Sequence, residues 1–191
     1  MDAAMKEQAY YTYTDVLGWA DDVRAEIIDG ECYQMADPST THEIIKRELY
    51  FQLLIFLKGK PCQAFDAPFG VRPYPKRDNS DKTHVEPDIT VICDKSKISE
   101  RGCYGAPDLI IEILSPSTAR TDLLVKFNLY QRIGVPEYWI VDPERRLVHV
   151  HLLHEGRYTT TTCDETGTVA VGVLPGCSIN LNEVFPDSPA S

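Results

Sequence analysis

The sequence predicts one α/β domain with a mixed central sheet, and three observations carry that prediction. Short β-branched or aliphatic runs, such as Ile89-Thr90-Val91-Ile92 and Leu109-Ile110-Ile111-Glu112-Ile113-Leu114, are bounded by Pro, Gly and Ser and read as buried strands. Two helical stretches, about 40–58 and 122–133, interleave with the strands, and Gly59 and Gly134 stop them. No internal repeat or low-complexity linker divides the chain, so its 191 residues form one domain, 1–191, long enough for a substantial core.

The elements follow in order. Residues 11–22 read as a short helix carrying Val16, Leu17 and Trp19. Residues 24–28 and 31–35 read as a hairpin, because Asp29-Gly30 supplies the positive φ values of a type I′ turn. Thr40 and Glu43 have capping-box spacing and open a helix whose apolar ridge is Ile45, Leu49, Leu53, Phe56 and Leu57. His42 lies on the inward face of that helix, at the mouth of the core. Two strands follow, at 62–67 and 69–73, and the polar tract 75–83 reads as an exposed loop. Next come the strand opened by Asp88, a connector with Gly102 and Gly105, and the strand containing Glu112. Residues 115–118 break that strand before the second helix. A strand at 137–141 is closed by Asp142-Pro143, and the rest is β-rich: 147–153, a turn at Glu155-Gly156, 158–162 and 168–173.

Composition narrows the function classes. Apolar residues make up 43% and charged residues 25%, as in an ordinary folded domain. No apolar run has the length of a membrane span, and residues 1–7 lack the apolar core of a signal peptide, so a cytoplasmic location is expected. The six cysteines are dispersed with no C-x-x-C pair, which argues against a zinc ribbon and leaves most of them as reduced, small apolar residues. A formal net charge of −10 counts against a broad electrostatic DNA-binding surface, but not against a local basic groove.

Asp88 and Glu112 stand where acids are expensive. An unpaired carboxylate in a buried strand costs several kcal/mol and persists only when a cation, a hydrogen-bond network or water compensates it. Two such acids followed by a lysine on the next helix suggest a divalent-metal site.

The pattern Pro87-Asp88, Pro107-Asp108-Leu109-x-x-Glu112-x-Leu114-Ser115-Pro116-Ser117, Asp122-x-x-x-Lys126, Tyr130 and Gly134-Val135-x-Glu137-Tyr138-Trp139-x-Val141-Asp142-Pro143 resembles the Uma-type restriction endonucleases, within the PD-(D/E)XK nuclease superfamily. The likeness extends upstream through Glu26, Asp29-Gly30-Glu31, Met35 and His42, and downstream to Leu174-Pro175-Gly176. It implies a restriction-endonuclease-like fold, a mixed central β-sheet flanked by helices with a β-rich C-terminal part. It also implies a metal-dependent endonuclease that hydrolyses DNA, with Asp88 and Glu112 as ligands of Mg (or Mn). The Ile113 carbonyl would supply a third oxygen, as suits a cation that prefers oxygen and keeps several waters. The superfamily pattern expects a lysine two residues after the second acid, on the same strand face. Leu114 stands there, and Lys126 on the following helix takes its place, with its nitrogen expected within roughly 6 Å of a Glu112 oxygen. Glu26 and His42 are candidates for supporting or DNA-contacting groups.

Each residue has a structural reading too. Asp88 could cap the turn after Pro87. Glu112 could be a buried ion-pair partner of Lys126 without metal, and Lys126 could pair with Asp122 on its own helix. Glu26 and His42 could be satisfied structural polar residues, and Asp108 reads as a turn residue. His149 and His151 share a strand face, but no third ligand supports zinc. Lys76, Arg77, Lys82 and Arg145-Arg146 read as a solvated face. Two other functions stay open beside the nuclease: a non-catalytic interaction module with an ion-paired core, and a metal-dependent phosphoesterase on a small nucleotide. Duplex DNA as partner makes a homodimer plausible, because two sites cut two strands.

Overall fold

The computed structural model describes residues 10–20, 23–115 and 121–186. The readings on residues 1–7, on the 116–118 break and on the side chain of Asp122 lie outside the described residues. In chain order the elements are α1 (Tyr13–Val16), β1 (Ala25–Ile28), β2 (Glu31–Gln34), α2 (Thr40–Leu57), β3 (Gln63–Asp66), β4 (Val71–Arg72), β5 (Ile89–Ile92), β6 (Ile98–Ser99), β7 (Gly102–Tyr104) and β8 (Leu109–Ile113). There follow a π-type turn (Thr121–Lys126), α3 (Phe127–Ile133), β9 (Glu137–Asp142), β10 (Leu147–His154), β11 (Arg157–Asp164), β12 (Thr168–Ala170) and β13 (Ser178–Asn180).

Six strands form the central sheet in the order β11-β10-β9-β8-β5-β3. It is mixed: β8 and β9 are parallel, and every other neighbouring pair is antiparallel. Alternation sorts the side chains between two layers. Ile89 and Val91, Leu109, Ile111 and Ile113, and Trp139 and Val141 pack on the α2 side, against Ile45, Leu49, Leu53 and Leu57. Ile92, Ile110, Tyr138 and Ile140 pack on the other side, against Leu129 and Tyr130 of α3, Val135 and Ile28. Helices cover both faces of the middle strands, which is why these strands read as unbroken apolar runs.

The β1–β2 hairpin has the expected two-residue turn, with Ile28 opposite Glu31 and φ of 53° at Asp29 and 90° at Gly30. Gly134 ends α3 in the left-handed conformation. Other expectations are corrected. The helix at 11–22 shrinks to the single turn α1, and its buried residue is Tyr13, while Leu17 is exposed. Tyr13 is drawn in by the Arg72 guanidinium, 3.8 Å from its ring centre. The N-cap of α2 is Ser39 rather than Thr40: its hydroxyl accepts from the His42 N–H at 3.2 Å. The 75–83 tract is not wholly exposed, because Asp81 and Thr83 are buried and Asp81 binds the buried Arg72. The connector before β8 contains β6 and β7, which form a small sheet with β4 in the order β4-β7-β6. Cys62 and Cys93, facing each other just beyond the Gln63–Ile92 pair of β3 and β5, are joined as a disulfide, whereas Cys32, Cys103, Cys163 and Cys177 are free thiols. Among the described residues no helix is long and apolar enough to cross a membrane.

Candidate active site

A cavity of about 620 Å³ opens where β5 begins and β8 ends, and Glu26, His42, Asp88, Glu112, Ile113 and Lys126 all line it. The geometry follows from strand alternation. Glu112 falls on the α3 side of β8, with Ile110, whereas its neighbours Ile111 and Ile113 face α2. Leu114 joins the α3-side cluster, as its spacing from Glu112 requires.

Glu112 is 3% exposed, and its Oε1 accepts hydrogen bonds from Lys126 Nζ at 2.9 Å and from the Tyr130 hydroxyl at 2.8 Å. The Lys126 ammonium therefore sits well within the expected reach of Glu112. It also lies 2.8 Å from Glu26 Oε2. Glu26 is itself oriented by the Glu86 N–H, which donates to its Oε1 at 2.8 Å. Two buried carboxylates thus hold one buried ammonium. Tyr130 follows Lys126 by four residues, so both project from the same side of the helix. Burial, followed by the charges of Glu112 and Glu26, holds the Tyr130 phenol well above its ordinary pKa, so it remains a hydrogen-bond donor.

Asp88 precedes β5 and does not cap the turn after Pro87. Instead its Oδ2 accepts the Ile113 N–H at 2.7 Å, beyond the last β5–β8 pairs. The same oxygen lies 3.2 Å from His42 Nε2. Burial lowers the His42 pKa, but the Asp88 bond and charge, with Glu43, outweigh it and leave the imidazole raised above its ordinary value. Glu86 also lines the cavity, and burial together with the Glu26 charge raises its pKa.

The donor chemistry fits a hard divalent cation. Asp88 Oδ1 accepts no hydrogen bond among the described residues, and Glu112 and Ile113 line the same cavity. Among the described residues no group of three His, Cys, Asp or Glu side chains could enclose a metal. One or two carboxylates with a carbonyl and water is the arrangement that suits magnesium.

Other candidates lie elsewhere. His149 and His151 bond Thr162 and Thr160 across β10–β11 at 2.9 and 2.8 Å. Asp108 accepts the Cys93 N–H at 2.7 Å and orders the start of β8. Lys76, Arg77 and Lys82 are exposed. Reading the residues alone misses a role for Tyr130, Glu86, Arg24 and Lys46, all within the site. The helical i, i+4 spacing from Lys126 was a usable signal for Tyr130, and the strand alternation from Glu26 and Asp88 was one for Arg24 and Glu86.

A mixed sheet flanked by helices, with acids and a lysine gathered at one end, is the restriction-endonuclease-like class of fold. A family model, Uma2, described as "Putative restriction endonuclease", matches residues 10–182, and the chain belongs to that family. The crystal structure of a "putative nuclease belonging to DUF820" from Anabaena variabilis ATCC 29413 is similar over 92% of this chain and 97% of that one, with a TM-score of 0.72. At 22% sequence identity, that likeness concerns the fold. An uncharacterized protein of Synechocystis sp. is 29% identical over 105 residues, 55% of this chain and 53% of that protein. The chain thus matches about half the length of that curated relative.

Proposed function

We propose that the chain is a Mg- or Mn-dependent endonuclease that hydrolyses DNA phosphodiester bonds, with Asp88 and Glu112 as metal-binding carboxylates and Lys126 as the catalytic cation. The observation that carries the reading is the buried Lys126 ammonium between Glu26 and Glu112, on the wall of a cavity that Asp88 also lines. When bound, the metal would polarise the phosphate and acidify water. The chain's own groups do the rest. Lys126 stabilises negative charge developing on the phosphate oxygens. Glu26 and Tyr130 keep the ammonium and the Glu112 carboxylate in register. His42 fixes Asp88, and Ile113 anchors it from the neighbouring strand through its N–H. The reading places the enzyme with its substrate in the cytoplasm.

One observation favours a second reading, an interaction module without catalysis: the Lys126–Glu112 pair is already complete as an ion pair. Supercoiled plasmid incubated with Mg²⁺ or Mn²⁺ separates the two. Asp88→Asn and Glu112→Gln should each lower cleavage by at least about a thousandfold while the thermal melt stays close to wild type. Nicking against linearisation tells whether single sites or paired copies act. Full cleavage by either variant would remove that residue from the mechanism, and no cleavage by wild type under any divalent ion favours the module.

A further inference from the structure

We infer that Arg24 is the substrate-binding cation of this cavity, and that its guanidinium receives the phosphate next to the scissile one on a polynucleotide strand. The inference rests on the nuclease reading and narrows it to substrates with consecutive phosphates.

Among the described residues, four side chains that can carry positive charge line the cavity: Arg24, His42, Lys46 and Lys126. Three of them already have carboxylate partners. Lys126 is held by Glu26 and Glu112 at 2.8 and 2.9 Å, Lys46 by Glu43 at 2.8 Å, and His42 by Asp88 at 3.2 Å. Among the described residues the Arg24 guanidinium has no hydrogen bond and no ion pair, although it is half-buried. Its backbone is fixed, because its carbonyl accepts the Met35 N–H at 2.9 Å, one residue ahead of β1. The acid that feels its charge is Glu86, which approaches without forming a pair. An arginine held on a cavity wall beside Glu26, Glu86, Asp88 and Glu112, and claimed by none of them, is suited to a ligand's anion. Its planar fork matches two oxygens of one phosphate.

Position decides which phosphate. Arg24 and Glu26 are two residues apart on an extended chain, so they project to the same face. Glu26 touches the Lys126 ammonium and thereby marks the reacting end. Two strand residues advance about 6.6 Å, which sets the Arg24 guanidinium one step farther along the wall than the ammonium. A mononucleotide has no second phosphodiester to fill that step.

The test uses the full chain with Mn²⁺ and two substrates: a short oligonucleotide, and bis(p-nitrophenyl) phosphate, whose single phosphodiester has no flanking phosphate. Arg24→Ala should raise KM for the oligonucleotide about tenfold or more with a much smaller change in kcat, and the loss on the single-phosphate ester should be clearly smaller. Arg24→Lys should recover part of the loss, since it restores charge without the fork. In Ca²⁺, the slope of log affinity for the oligonucleotide against log salt should fall by about one in Arg24→Ala. Both variants should melt with wild type, because the guanidinium has no internal partner to lose. Equal losses on the two substrates would overturn the flanking position. An active wild type matched by Arg24→Ala in KM and salt slope would overturn the inference alone. A wild type that neither binds nor cleaves either substrate would overturn the nuclease reading and this inference with it.

Discussion

Among the described residues two buried ion clusters stand out, and they differ in composition. Arg72 and Asp81 meet one to one, both almost wholly buried. Arg72 Nε donates to Asp81 Oδ2 at 2.8 Å, a second guanidinium nitrogen reaches Asp81 Oδ1 and the Asn79 side chain, and Tyr13 and Tyr104 lie 3.8 and 5.2 Å from the guanidinium carbon. Neither residue lines the cavity. Lys126, by contrast, faces two acids and stands on the cavity wall. The closed, neutral cluster pins a loop to the hairpin region. Among the described residues, the open one sets two carboxylates around one ammonium where a cation and a phosphate can enter. Composition, more than burial, separates the structural ion pair from the candidate site.

The comparison can be broken in four places, from the largest effect down. Arg72→Ala leaves Asp81 buried without its cation and removes the centre of the Tyr13–Tyr104 stack. It should cost about 4–5 kcal/mol, read from urea unfolding. Lys126→Met removes the ammonium that sits between Glu26 and Glu112, and should cost about 3 kcal/mol. Adding Glu26→Gln to Lys126→Met should restore about 1–2 kcal/mol, because one of the two negative charges is gone. Glu112→Gln alone keeps the Lys126–Glu26 pair and should cost about 1 kcal/mol or less. If it costs as much as Lys126→Met, two carboxylates sharing one ammonium does not describe the site.

A further effect is in pH. His84 packs beside Tyr13 and Arg72, and burial, followed by the Arg72 charge, pushes its pKa down to about 4. The unfolded chain takes up this proton near pH 6.5, and the folded chain does not until about 4. The unfolded state therefore binds more protons in that window, and the contribution to stability is complete above it and lost as pH falls through it. His151, with its pKa also pushed down to about 4, adds the same sign. Asp81 acts lower still. Burial would raise its carboxyl pKa, but Arg72 and the Lys76 N–H more than offset that and depress it, so its contribution disappears only as pH falls below the ordinary carboxylate range. Melts across pH 4–7 should show the histidine part, and His84→Phe should flatten it.

What was legible in the sequence was the part written in local periodicity. Alternation placed Glu112 against the grain of its strand, and helical spacing brought Lys126 to it. The Asp29-Gly30 turn was equally plain, because only positive φ satisfies a two-residue hairpin. The α2 cap was missed by one residue because Ser39, Thr40 and Thr41 are chemically alike, and only the direction of the entering chain selects Ser39. Tyr13 was missed because its partner Arg72 lies far along the chain, on the far side of α2 and β3. The Cys62–Cys93 pair was equally hidden, since it depends on the register of two strands whose connection crosses β4 and the loop after it.

The parallel pairing of β8 and β9 has a consequence for how the site is held together. Parallel neighbours cannot be joined by a tight turn; they need a long connection across the sheet. Here that obligatory connection is the segment bearing Lys126 and Tyr130. The ammonium is thus 14 residues from its carboxylate partner on β8, and the phenol 18. Each doubling of an intervening loop adds only about 0.6 kcal/mol of closure entropy, so a span this short leaves little to pay. The ammonium is an intramolecular ligand at high effective concentration. Whenever β8 lies beside β9, the counter-charge for Glu112 is already tethered within reach. Glu26, which arrives from a separate hairpin much earlier in the chain, is the member of the trio whose presence depends on the whole fold.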